Sequence, residues 1–159
     1  MKTLKTIIRR TITVLILTLT LTSCSSDDDA SDSEQSTYFL NAKVDGVDFS
    51  RENVIVSALA DDTSFYTISA LGDTSIILTL NSPTSTGIFT VSLTTALSYQ
   101  QNIPFAVWGA GGESGNSGTI TITENTDDFI KGTFSFTGVN LLDNSTKEIS
   151  QGVFKAKKL

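Results

Sequence analysis

The sequence predicts an all-β domain: an antiparallel β-sandwich of about nine or ten short strands, with a small closed β-barrel as the alternative. Three observations carry this. From Tyr38 onward the apolar residues alternate with a period of two, which places successive side chains on opposite faces of a strand. Turn residues interrupt the pattern every 6 to 12 positions. No stretch of 12 residues keeps a helical period.

The elements follow in order. Phe39–Val44 and Val47–Phe49 flank Asp45-Gly46, a dipeptide that favours a two-residue hairpin because both positions tolerate positive φ. Val54–Leu59 and Phe65–Leu71 flank a loop at Asp61-Asp62-Thr63-Ser64. Ile76, Leu78 and Leu80 alternate in a strand that stops at Asn81-Ser82-Pro83, and Ile88–Val91 follows Gly87. Leu93, Ala96 and Leu97 have helical spacing, enough for one turn at most. Ile103–Trp108 runs into a glycine-rich loop, Gly109 to Gly118. Thr119–Glu124 sets threonines against Ile120 and Ile122, and Asn125-Thr126-Asp127-Asp128 turns the chain into Phe129–Thr137. There Ile130, Phe134 and Phe136 share a face with Gly132. The last strand is Lys147–Lys157, where Lys155, Lys157 and Lys158 read as the solvated face of an edge strand. Mixed loop lengths favour two packed sheets over a regular meander. A domain over 38–159 can bury roughly 60–70% of its unfolded surface. With one cysteine in the chain it has no internal disulfide to rely on.

The first 23 residues have a different grammar. Lys2, Lys5, Arg9 and Arg10 precede an apolar run, Thr11 to Leu21, that is too short for the ~20 residues a bilayer core requires. This is the pattern of a secretory signal peptide over 1–23. Its end, Leu21-Thr22-Ser23-Cys24, resembles the bacterial lipobox. That resemblance implies cleavage between Ser23 and Cys24 and a diacylglycerol on the Cys24 thiol. Two or more acyl chains hold a protein stably on a membrane where one does not. Residues 25–37 carry five acids and no base, a composition that cannot pack, so 24–37 is expected to be a disordered tether. Within it Ser25, Ser26, Asp27, Asp28 and Asp29 resemble the export signal of surface lipoproteins of Bacteroidota. The resemblance implies display on the outer leaflet; a periplasm-facing location is the alternative.

Charge and composition then exclude several chemistries. Four of the eleven basic residues lie in the first ten positions, and all 17 acids follow Cys24. From Cys24 on, seven bases face 17 acids, a net charge of −10 with no basic stripe for a nucleic acid. There is no histidine, so neither a Ser-His-Asp triad nor an imidazole metal site can form. The glycine-rich loop lacks the Gly-Lys-Ser/Thr ending of a phosphate loop and leads into a strand instead of a helix. Paired carboxylates are the remaining catalytic route, but Asp45, Asp61, Asp62, Asp73, Asp127, Asp128 and Asp143 sit in turns, where aspartate serves local hydrogen bonding. Calcium at Asp127-Asp128 or Asp61-Asp62 lacks any EF-hand spacing. Trp108, the only tryptophan, ends a strand ahead of the glycines and has two readings. It is a core residue before a long hairpin connection, which is preferred, or a stacking platform whose ligand also meets Gly111, Gly112, Glu113 and Asn116.

Asp45-Gly46-Val47-Asp48-Phe49, Asn116 to Glu124, Lys131 to Thr137 and Gly152-Val153-Phe154, in that order, resemble an uncharacterised family of small flavobacterial surface lipoproteins. The resemblance implies fold and location and transfers no catalytic residue. The expectation is thus a lipid-anchored outer-membrane protein, surface-exposed, whose domain is a non-catalytic binding or accessory module. Its partners are the membrane, through the lipid on Cys24, and a protein or glycan. A small carboxylate-dependent hydrolase and a purely structural envelope protein are the competing classes. No catalytic residue, cofactor, metal or nucleic acid is expected.

Overall fold

The computed structural model describes residues 37–59, 62–81, 85–112 and 117–159, apart from the side chains of 59 and 62–64. They form eleven strands and no helix: β1 (Phe39–Val44), β2 (Val47–Glu52), β3 (Ile55–Leu59), β4 (Asp62–Ala70), β5 (Thr74–Asn81), β6 (Gly87–Thr90), β7 (Ala96–Asn102), β8 (Phe105–Ala110), β9 (Gly118–Asn125), β10 (Phe129–Val139) and β11 (Thr146–Lys158). Asp45-Gly46 makes the expected turn with positive φ at both residues, 49° and 81°, and pairs Val44 with Val47.

All eleven strands belong to one hydrogen-bonded sheet, in the order β2-β1-β11-β3-β4-β5-β7-β8-β10-β9-β6, with β11 also paired to β10. It is not a regular barrel. Two thin seams divide it into layers: β11 meets β3 in parallel through Lys157↔Ile55 and Lys158↔Val56, and β8 meets β10 only at Gly109↔Val139. One layer is β6-β9-β10-β11-β1-β2 and the other β3-β4-β5-β7-β8, a sandwich stitched at both seams. The layers touch where Phe49 of β2 meets Tyr99 of β7, ring centroids 6.4 Å apart. There Arg51 also donates to the Thr74 hydroxyl at 2.8 Å. Each strand turns alternate residues into one continuous core, including Leu40, Ile68, Leu78, Ile120, Ile130 and Phe154.

Two glycines make room for that core. Gly132 stands opposite Phe154, and Gly152 opposite Phe134, across β10 and β11. A Cβ on Gly132 would collide with the Thr121 carbonyl oxygen, and one on Gly152 would sit 2.6 Å from the Phe134 ring. Each missing side chain is replaced by the facing aromatic ring.

Three sequence expectations are corrected. The strand β7 was not anticipated: Ala96 and Leu97 open it instead of closing a helical turn, and Ser98, Gln100 and Gln101 hide an alternation that buries Leu97 and Tyr99. Ile103 and Pro104 form the β7–β8 turn, and the following strand starts at Phe105 instead of Ile103. The C-terminal strand is central instead of an edge, because β11 pairs with β1 and β10 along its length. Solvated lysines mark an exposed face, and a face says nothing about whether the backbone edges are paired.

Candidate functional site

The β7–β8 hairpin and the β10–β11 turn meet on the outer side of the second layer. The β10–β11 turn is braced by its own polar groups. Asn140, 5% exposed, accepts the Leu142 N–H at Oδ1, 2.9 Å, and the Asp143 carboxylate accepts the Ser145 N–H at 2.8 Å. The backbone closes around them, with Asn144 N–H donating to Asn140 O and Asn140 N–H to Ser145 O. With the polar residues turned to the backbone, Leu141 and Leu142 are left in solvent, 83% and 90% exposed. Phe105 is 71% and Ile103 89% exposed on the neighbouring hairpin.

Between these turns runs a groove of about 450 Å³. Its rim is Phe105, Leu141 and Leu142, and its floor includes Ile77, Ser98, Val107 and Gly109. None of its lining side chains is charged, in a chain with 28 charged residues. Apolar clefts of this size with few polar groups are the usual form of a binding site. Large exposed apolar side chains gathered in one place mark an interaction surface.

Trp108 lies on the other face of β8. It is 9% exposed, within the core, its ring 5.8 Å from Tyr99. Its Nε1–H donates to the Ser145 hydroxyl at 2.9 Å, tying β8 to the turn that carries the leucines. The Lys147 ammonium lies 5.0 Å from the indole centroid. The indole therefore offers no open face for stacking, and the platform reading of Trp108 is replaced by a brace. Of its proposed companions, Gly111 does line the groove, on the side away from the indole. A Cβ there would press on Ala96 at 2.9 Å. Gly112 is exposed with φ +61°. Glu113 and Asn116 lie outside the described residues, as do Ser23, Cys24, Ser25, Ser26, Asp27, Asp28, Asp29 and Asp61.

Two of the turn carboxylates, Asp45 and Asp143, serve structure. Asp45 accepts Lys147 Nζ at 2.8 Å and the Glu148 N–H at 2.9 Å. The lysine bond first and the amide second hold its pKa below the ordinary carboxylate range. A general acid needs the opposite shift. Asp48 shares a cleft of about 390 Å³ with Asp45 and Arg51 and pairs with Lys43 at 2.6 Å. Asp143 is also held low, by the Ser145 hydroxyl and then its N–H. Among the described residues no three acidic side chains converge as a metal site.

Sequence reasoning missed the groove. Its signals were present: an apolar run at Ile103-Pro104-Phe105-Ala106-Val107-Trp108 that loads both faces of one strand, and two leucines inside an Asn/Asp turn. Among known proteins, residues 36–156 match a family described as a domain of unknown function, DUF6252. No curated protein and no solved structure matches.

Proposed function

The chain belongs to the DUF6252 family, and on that premise we propose that it is a lipid-anchored protein of the bacterial outer membrane, displayed at the cell surface. Its domain is a non-catalytic binding module, and the groove rimmed by Phe105, Leu141 and Leu142 is its contact surface. The anchor follows from the signal-peptide pattern and the lipobox-like Leu21-Thr22-Ser23-Cys24, and surface display from Asp27-Asp28-Asp29. The flavobacterial resemblance supports the same reading.

The observation that carries the binding role is the concentration of exposed apolar side chains around an uncharged groove. Exposing such side chains costs solubility, so their gathering in a braced turn favours a partner over chance. The absence of a histidine removes triad chemistry and supports a role without catalysis.

Two measurements test the reading. Cells making the wild type incorporate an alkyne fatty acid into the protein, and Cys24→Ser abolishes the label and releases the chain from membranes. Undiminished labelling of Cys24→Ser refutes the anchor. A photo-reactive residue at Val107, in the groove, yields an adduct on intact cells, whereas one at Lys157 does not. Equal yields at both positions refute the groove as the contact surface.

A further inference from the structure

We propose that the groove and its two hairpin tips dock the domain onto a lipid bilayer, the same bilayer that holds the Cys24 anchor. The choice of bilayer rests on the lipid-anchored reading above; the docking itself does not.

The tips have the chemistry for it. Ile103 and Phe105 on one hairpin and Leu141 and Leu142 on the other are 71% to 90% exposed. Phe105 and both leucines bound one groove, so the two tips stand side by side. The Asn140 and Asp143 bonds already satisfy the Leu142 and Ser145 amides. Leu141 and Leu142 can therefore enter an apolar medium without exposing those two donors to it, while the neighbouring exposed Asp143 carboxylate stays in the aqueous headgroup layer. The groove behind the tips has no cation and no anion. It suits a neutral aliphatic chain and offers a phosphate or carboxylate no cation to pair with.

The reach also fits. Tyr38, the residue before β1, lies against Lys155, its ring 5.8 Å from that ammonium. The leucine turn immediately precedes Thr146, at the opposite end of β11. From Thr146 to Lys155 an extended strand covers roughly 30 Å. The tether of residues 25–37 spans up to about 45 Å when extended. The lipid on Cys24 and the leucine tips can thus sit in one membrane at once. Each attachment then raises the effective concentration of the other, and a second signal turns marginal anchoring into stable anchoring.

The test uses residues 24–159 bearing Cys24→Ser, which is unlipidated, floated with vesicles of zwitterionic phosphatidylcholine. The wild-type domain co-floats, and Leu142→Asp or Phe105→Asp lowers the bound fraction about tenfold or more. Binding is unchanged by salt and falls when anionic phosphatidylglycerol is added, because the chain carries net negative charge. Circular dichroism shows the same unfolding midpoint for Leu142→Asp as for wild type, so a loss of flotation is a loss of docking. Failure of the wild type to float, or equal flotation of the aspartate variants, overturns the proposal. So does binding that requires anionic lipid and vanishes in salt. On intact cells a photo-reactive residue at 142 gives a lipid adduct; a discrete protein adduct instead overturns the bilayer as occupant and keeps the groove as a contact surface. Loss of the Cys24 anchor, read by fatty-acid labelling, overturns only which bilayer is meant.

Discussion

Removing the Trp108 indole tests how the leucine turn is held. The ring is 9% exposed, packs against Tyr99 at 5.8 Å, and donates its N–H to Ser145 at 2.9 Å. Trp108→Ala deletes nearly the whole buried side chain and is expected to cost about 3–5 kcal/mol. At roughly 4 °C per kcal/mol for a domain of this size, Tm falls by about 12–20 °C. Trp108→Phe keeps most of the apolar contact and loses one hydrogen bond, for about 1–2 kcal/mol. Ser145→Ala leaves the indole N–H without this acceptor and costs about 1–3 kcal/mol. Because Trp108 is the only tryptophan, these variants are compared by urea unfolding followed with far-UV circular dichroism. Wild-type emission is blue-shifted and weakly quenched by acrylamide. A Trp108→Ala stability within about 1 kcal/mol of wild type, together with wild-type emission like that of indole in water, would refute the packing argument.

Gly132→Ala and Gly152→Ala should each cost about 1–3 kcal/mol, because the new methyl meets backbone oxygen and the facing Phe ring. Gly109→Ala, with nothing within 4 Å of the added carbon, should stay within about 0.5 kcal/mol; equal costs at all three positions in chemical denaturation would count against the close-approach explanation. Stability should also decline in acid. The native bonds to Asp45 and Asp143 lower their pKa values, so their contribution is complete above the unfolded value near 3.9 and is lost as pH falls through the lower folded values. Urea midpoints between pH 6 and 2 should show that decline, and Asp45→Asn should flatten it. A parallel curve for Asp45→Asn removes Asp45 as a source.

Much of the fold was legible because strands write their faces into the sequence. In Phe129–Thr137 a single parity carries Ile130, Phe134 and Phe136, and that parity is buried. The pattern failed where both faces or neither face was apolar. Strand β7 sets Ser98 and Gln100 on its outer face and Gln101 beyond Tyr99 on its inner one, so only Leu97 and Tyr99 mark the alternation. The spacing of Leu93, Ala96 and Leu97 suggested one helical turn instead. Strand β8 carries Phe105 and Val107 on one face and Ala106, Trp108 and Ala110 on the other. Alternation alone could not say which face turns inward.

What the sequence determined by itself was local: the strand periods, the Asp45-Gly46 turn with its two positive φ angles, and the lack of histidine chemistry. Those properties depend on residues a few positions apart, where backbone sterics and side-chain alternation act. The tertiary structure decided what joins residues distant in the chain. It placed β11 at the centre of the sheet, matched Gly132 with Phe154 and Gly152 with Phe134, and turned Trp108 inward to Ser145. It also brought Phe105 beside Leu141 and Leu142. A period of two specifies a face but not a neighbour. Which strands pair, and in which register, depends on how all the apolar faces can be buried together, and so the groove exists only once the sheet has folded over on itself.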